Sequence, residues 1–113
     1  MTDVQDPDAR LAAHLEPDET IAVRVAAEDA IVGVSERRLL VVGEARVRLD
    51  IPIERLRRIQ LDVERDRPAS LVIVPELARD EPQVLAVSPA EYEAAARAIV
   101  LLGLGLARSN AAD

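Results

Sequence analysis

Residues 46–53 alternate without interruption. Val47, Leu49, Ile51 and Ile53 fall on one side, and Arg46, Arg48 and Asp50 on the other. Only an extended chain with a period of two separates them this way, so the segment is a strand with one wet face. The same period recurs along the chain. Ile21, Val23 and Val25 share a face opposite Thr20, Ala22 and Arg24, and Ile59, Leu61 and Val63 alternate with Gln60, Asp62 and Glu64. Residues 30–34, 38–42 and 71–74 are shorter, nearly continuous apolar runs. Val84 and Ala86, joined by Leu85 and Val87, read as the last strand. Polar breaks separate these runs at Glu28-Asp29, Ser35-Glu36-Arg37, Gly43-Glu44 and Arg65-Asp66-Arg67-Pro68, and across residues 75–83. Gly33 marks a place where a side chain is unwelcome, and Pro52 an edge or a bulge. Residues 54–58 read as a single helical turn. Seven strands at hairpin spacing are antiparallel, and short strands in this number are expected to curl into a β-barrel.

Two helices flank the strands. Asp6-Pro7 is a cap followed by proline at the first helical position, Leu11 and Leu15 lie one turn apart, and Pro17 ends the segment. Ser88-Pro89-Ala90-Glu91 reads as a capping box in which Glu91 reaches back to Ser88. The helix it opens runs from residue 89 to 106, with Tyr92, Ala95, Ala96, Ile99, Leu102 and Leu106 on its apolar stripe. Gly103 and Gly105 weaken its last turn. The expected organisation is an acidic arm over residues 1–10, one domain over 11–107 and a flexible tail over 108–113.

Composition removes whole classes of function. The 113 residues include no Cys, one His, no Trp, no Phe and a single Tyr, Tyr92. Without cysteine there is no disulfide framework, Cys-based zinc site or thiol nucleophile, and one histidine makes no His-rich metal site. No cofactor or metal is expected. A nucleic-acid partner is not expected either, because base-stacking modules need aromatic platforms and the net charge of −7 opposes a phosphate backbone. The first residues lack the basic start and apolar core of a signal peptide, and the longest apolar run, residues 98–107, is half the length needed to cross a bilayer. The expected location is cytoplasmic.

Three stretches resemble the bacterial pleckstrin-homology-like domains. Leu15-Glu16-Pro17-Asp18-Glu19-Thr20-Ile21 is similar to that family's lead into its first strand. Val34-Ser35-Glu36-Arg37-Arg38-Leu39-Leu40 is similar to its strand, Thr/Ser turn and Arg-Leu hairpin. Ile51-Pro52-Ile53-Glu54-Arg55-Leu56 is similar to its Ile-Pro-Leu segment. With the capped C-terminal helix, the resemblance spans roughly residues 11–107. It implies a mainly β fold with two near-orthogonal antiparallel sheets closed by the C-terminal helix, plus the short N-terminal helix. It also implies a binding or assembly module and not an enzyme. Family members that bind phosphoinositides use a basic loop between the first two strands. Here that loop is Ala26-Ala27-Glu28-Asp29, short and acidic, and the helix Trp of eukaryotic members is absent.

The residues offer little catalytic chemistry. His14 stands alone in the N-terminal helix, and Ser35, Ser70, Ser88 and Ser109 lie in turns or caps with no nucleophile-elbow setting. Asp62, Glu64 and Asp66 follow no calcium-loop pattern. Residues 35–65 carry eight arginines against six acids, +2 in a chain of −7. Arginine forks suit phosphate or carboxylate, so Arg55, Arg57 and Arg58 form a candidate anion or lipid-headgroup site. The alternative for them is cross-strand pairing with Asp50, Glu54, Asp62 and Glu64. Residues 98–107 are apolar all round, more than one docking face requires, so Val100, Leu101 and Leu104 are either buried within the domain or a contact surface. Glu91, Glu93 and the scarcity of nearby bases oppose a membrane-surface role. The expected function is protein–protein contact with self-association; the alternative is anion binding.

Overall fold

The computed structural model describes the backbone of residues 7–111 and the side chains of residues 9–106. Helix α1 (Pro7–Ala12) is followed by strands β1 (Val23–Ala26), β2 (Ala30–Val34), β3 (Arg38–Gly43) and β4 (Val47–Pro52). One 3-10 turn (Ile53–Arg55) leads into β5 (Leu56–Asp62), β6 (Ala69–Pro75) and β7 (Gln83–Val87). A second 3-10 turn (Pro89–Glu91) opens helix α2 (Tyr92–Ala111). The strands form two antiparallel meanders, β1-β2-β3-β4 and β5-β6-β7. The mainly β class, the seven strands, their antiparallel order and both helices agree with the sequence reading.

The sheets do not close into a barrel. They remain two separate sheets, with the turn at Ile53–Arg55 between β4 and β5. Helix α2 packs against β1, that turn and β5. Among its described side chains, Ala95, Ala98 and Leu102 are fully buried. They join Val25, Val32, Val34, Leu39, Val41, Leu71, Ile73, Leu85 and Val87 in the main core. Small alanines let the helix lie close to the strands. Near its end Gly105 does the same, since a Cβ there would sit 3.0 Å from the Ile53 side chain.

A second, smaller core explains the continuous apolar runs. Ile31, Leu40 and Val42 point away from the main core and are buried with Leu11 of α1; Leu15, Ile21 and Val47 pack around them. The central strands β2 and β3 therefore have both faces covered, which removes the polar alternation that exposed strands show. Gly33 faces α1, and a Cβ there would lie 2.9 Å from Leu11 Cδ2 and 3.0 Å from Ile21 Cδ1.

Several local expectations are corrected. Ile21 does not share a face with Val23 and Val25: β1 starts only at Val23, and Ile21 joins the second cluster. Val47 parts from Leu49, Ile51 and Ile53 because pairing slips between Val41 and Val42, so that Val41 faces Leu49 but Val42 faces Val47. The extra residue at this bulge turns Val47 to the other side of the sheet. Val63 is exposed because β5 ends at Asp62. In β7 the inward residues are Gln83, Leu85 and Val87, while Val84 is exposed. The helical turn is shorter than residues 54–58, so Arg57 and Arg58 belong to β5. Ala96 is exposed and drops out of the α2 stripe.

The capping box is also not made. Ser88 forms no side-chain cap, and the Glu91 carboxylate instead accepts the Ala26 backbone N–H at 2.9 Å. That bond fastens the start of α2 to the edge of β1. The helix continues to Ala111, past the expected end at Leu106. The proposed cap at Asp6 lies outside the described residues. Pro52 does sit on an edge strand, β4.

Candidate functional site

The outer side of α2 is the clearest unoccupied surface. With Ala95, Ala98 and Leu102 turned inward, Val100 and Leu104 fall on the opposite side of the helix. Val100 is 62% exposed and Leu104 52%. Leu101 is half-buried and packs against the main core, so the three candidate interface residues do not act alike. Between α2 and the residues entering β1 lies an open, largely apolar groove of about 500 Å³. Ala22, Val23, Ala96, Val100, Leu101 and Leu104 line it, together with Glu93 and Arg97. The sequence reading singled out Val100, Leu101 and Leu104; it did not foresee that Ala22 and Val23 complete the groove.

Arg55, Arg57 and Arg58 all have exposed side chains. Arg55 ends the 3-10 turn, with its carbonyl taking the Glu76 N–H, and Arg57 and Arg58 begin β5, where pairing with β6 slips between Leu56 and Arg58. The cross-strand pairs considered for them are not formed among the described residues. Asp50 instead pairs with Arg38 at 2.9 Å, Glu64 with Arg67 at 3.6 Å, and Asp62 accepts the Gln60 amide at 3.0 Å. These bonds also disperse Asp62 and Glu64, and among the described residues no three metal-ligating side chains gather.

The tightest polar constellation lies elsewhere. Glu19 has a side chain only 1% exposed and accepts from Arg38 at 2.7 and 3.0 Å and from the Ser35 hydroxyl at 2.7 Å. The Glu16 N–H adds a bond at 3.1 Å. Arg38 also reaches Asp50 and the His14 carbonyl. The Ser35 oxygen in turn accepts the Arg37 and Arg38 N–H groups. The Arg38 guanidinium, ahead of the Ser35 and Glu16 donors, holds the Glu19 carboxyl down at about 2. The same contacts raise the Arg38 pKa. Beside them, Asp18 pairs with Arg37 at 2.6 Å on the surface, which lowers its carboxyl pKa.

This cluster is a clasp, not a catalytic dyad. A carboxylate held near 2 is a very weak base toward a serine hydroxyl, and Ser35 itself is buried. The His14 side chain is exposed, and only its backbone carbonyl takes part. The clasp fastens the segment after α1 to the β2–β3 turn. Its one trace in the sequence is a pair of opposite doublets, Asp18-Glu19 and Arg37-Arg38, which meet in order.

No protein-family model matches the chain, and no curated protein matches it in sequence. Solved structures match it in fold. One is a DUF1696 family protein with a pleckstrin-homology domain from Shewanella loihica PV-4: TM-score 0.62, 12% identity, 93% of this chain and 94% of the other covered. Another is a pleckstrin-homology domain from Shewanella amazonensis SB2B: TM-score 0.56, 17% identity, 94% and 96% covered. The fold is that of a bacterial pleckstrin-homology-like domain, as the three sequence stretches implied. Two of those stretches turn out to be the two sides of the Glu19–Arg38 clasp. Among the described residues, no helix is long and apolar enough to cross a membrane.

Proposed function

We propose that this chain is a non-catalytic, cytoplasmic binding module that works by protein–protein contact, including contact with its own kind, through the outer face of α2. The observation that carries this reading is the groove beside Val100 and Leu104, two large aliphatic side chains left in water. Covering either one removes apolar surface worth on the order of 1–2 kcal/mol. The fold supports a binding role, and the polar clusters supply no activated nucleophile or base. Light scattering over a wide concentration range tests the reading. The apparent mass rises above that of one chain in the wild type and stays at one chain in Leu104→Glu. A mass of one chain at every concentration for both proteins refutes it.

A second reading rests on three arginines that make no ion pair among the described residues. Arg55, Arg57 and Arg58 have exposed side chains suited to phosphate or carboxylate groups, with β5 holding two of them in place. Co-sedimentation with phosphatidylserine vesicles through a salt series tests it. Binding that fades with salt and is lost in Arg58→Ala supports it; no binding at low salt refutes it.

A further inference from the structure

We infer that α1 is a detachable strap. It lifts off the outer face of β2 and β3 while the rest of the fold stays closed, with the Glu19–Arg38 clasp as its tether. This concerns a different face from the groove beside α2 and stands apart from the function read there.

The seat under α1 is built for one side chain. Leu11 is 2% exposed and closes the second core over Ile31, Leu40 and Val42. Its two methyl groups come down on Gly33, where a Cβ would lie 2.9 and 3.0 Å from them. Glycine weakens a strand interior, so β2 gives up a side chain to make this hole. The occupant has a slender hold, however. Helix α1 is six residues long, too short to stay helical by itself, and among its described side chains only Leu11 is buried.

Arg10, next to Leu11, works against docking. Its Nε and Nη1 are buried, and neither finds an acceptor among the described residues. A buried donor without an acceptor offsets much of what a neighbouring apolar contact contributes. Lifting α1 returns both nitrogens to water. The same helix thus carries one residue that gains by docking and one that is relieved by leaving, which brings the closed and open forms near each other in free energy.

The tether is of a different kind. Arg38 donates to the His14 carbonyl, two residues past the end of α1, and to the Glu19 carboxylate, while Arg37 pairs with Asp18. Ala22 then joins the sheet by donating to the Val34 carbonyl. The hinge therefore falls at Ala12-Ala13, and opening stops at His14. In the closed chain α1 withholds the face made by Ile31, Leu40 and Val42, an autoinhibitory cover over an apolar surface.

The absence of cysteine makes the opening directly measurable. Val42→Cys and Val41→Cys place single thiols on neighbouring residues of β3 that face the second and the main core. Both variants are labelled with dithionitrobenzoate through a series of low urea concentrations. Val42→Cys labels on the order of a hundredfold faster, at a rate that hardly changes with urea, since lifting one short helix exposes little surface. Val41→Cys labels only as urea unfolds the domain. Adding Arg10→Met slows the labelling of Val42→Cys about tenfold, because a thioether needs no acceptor. Hydrogen exchange on the wild type gives a second measure. The Ala13 amide, bonded to the Ala9 carbonyl, exchanges through this opening, while the Ala22 amide stays protected. Equal labelling of the two thiols with the same urea dependence shows that α1 leaves only with the whole fold, and overturns the strap. An Arg10→Met change that leaves the Val42→Cys rate unchanged or raises it overturns it too, as does an Ala22 amide that exchanges together with Ala13.

Discussion

Replacing Arg38 by methionine keeps most of the side-chain volume and removes the charge that Glu19 depends on. The carboxylate, 1% exposed, is left with the Ser35 hydroxyl and the Glu16 N–H. Breaking one side of a buried ion pair costs about 3–5 kcal/mol. Arg38 keeps 18% of its side chain in water, which places this pair at the lower end, about 3 kcal/mol. Linkage leads to a similar size. Glu19 ionises at about 2 in the folded chain against an ordinary 4.5, a gap worth roughly 3 kcal/mol. Because the folded value is the lower one, this stability is fully present above pH 4.5. It is lost as pH falls from 4.5 toward 2. Urea unfolding followed by circular dichroism, at pH 7 and at steps down to pH 2.5, measures both effects. Arg38→Met is about 3 kcal/mol less stable than wild type at pH 7, and the difference narrows on acidification as Glu19 takes up its proton. A loss under about 1 kcal/mol at pH 7, or a difference that stays constant with pH, would show that the clasp does not hold the fold in this way.

Two further perturbations probe the contacts around it. Gly33→Ala drives a methyl into the space held by Leu11 and Ile21, at 2.9 and 3.0 Å, and costs about 1–3 kcal/mol as overpacking in the same urea assay. A variant as stable as wild type would mean that α1 can yield without loss. Glu91→Ala frees the Ala26 N–H on the edge of β1 and costs about 1–2 kcal/mol, with faster hydrogen exchange confined to β1 and the first turn of α2. Unchanged exchange at Ala26 would refute the role given to Glu91.

Much of the fold is legible in local pattern. Alternation places β4 and β5, polar breaks place the hairpins, and Pro89 places the start of the last helix, because period, turn residues and helix starts act over a few residues. Gly33 is legible as a position where a side chain is unwelcome, whereas the apolar surplus of residues 98–107 left burial within the domain and a contact surface equally open. The errors share a cause. Val47 and Ile21 sit where a bulge or a late strand start flips the pattern by one residue, and local alternation does not register such a slip. Glu91 looks like a capping residue in its own turn but is taken by a backbone group 65 residues away in sequence.

The sequence by itself determined the class: many short antiparallel strands, one amphipathic closing helix, no thiol or aromatic chemistry and no histidine cluster. Tertiary structure alone decided which faces are covered. It buried one side of β2 and β3 in the main core and the other against α1, and it brought Glu19 to Arg38. It also left Val100 and Leu104 outside while Ala98 and Leu102 went in. The physical reason is range. Propensity and period are properties of neighbours in the chain, whereas burial and ion pairing depend on what distant segments bring to the same place.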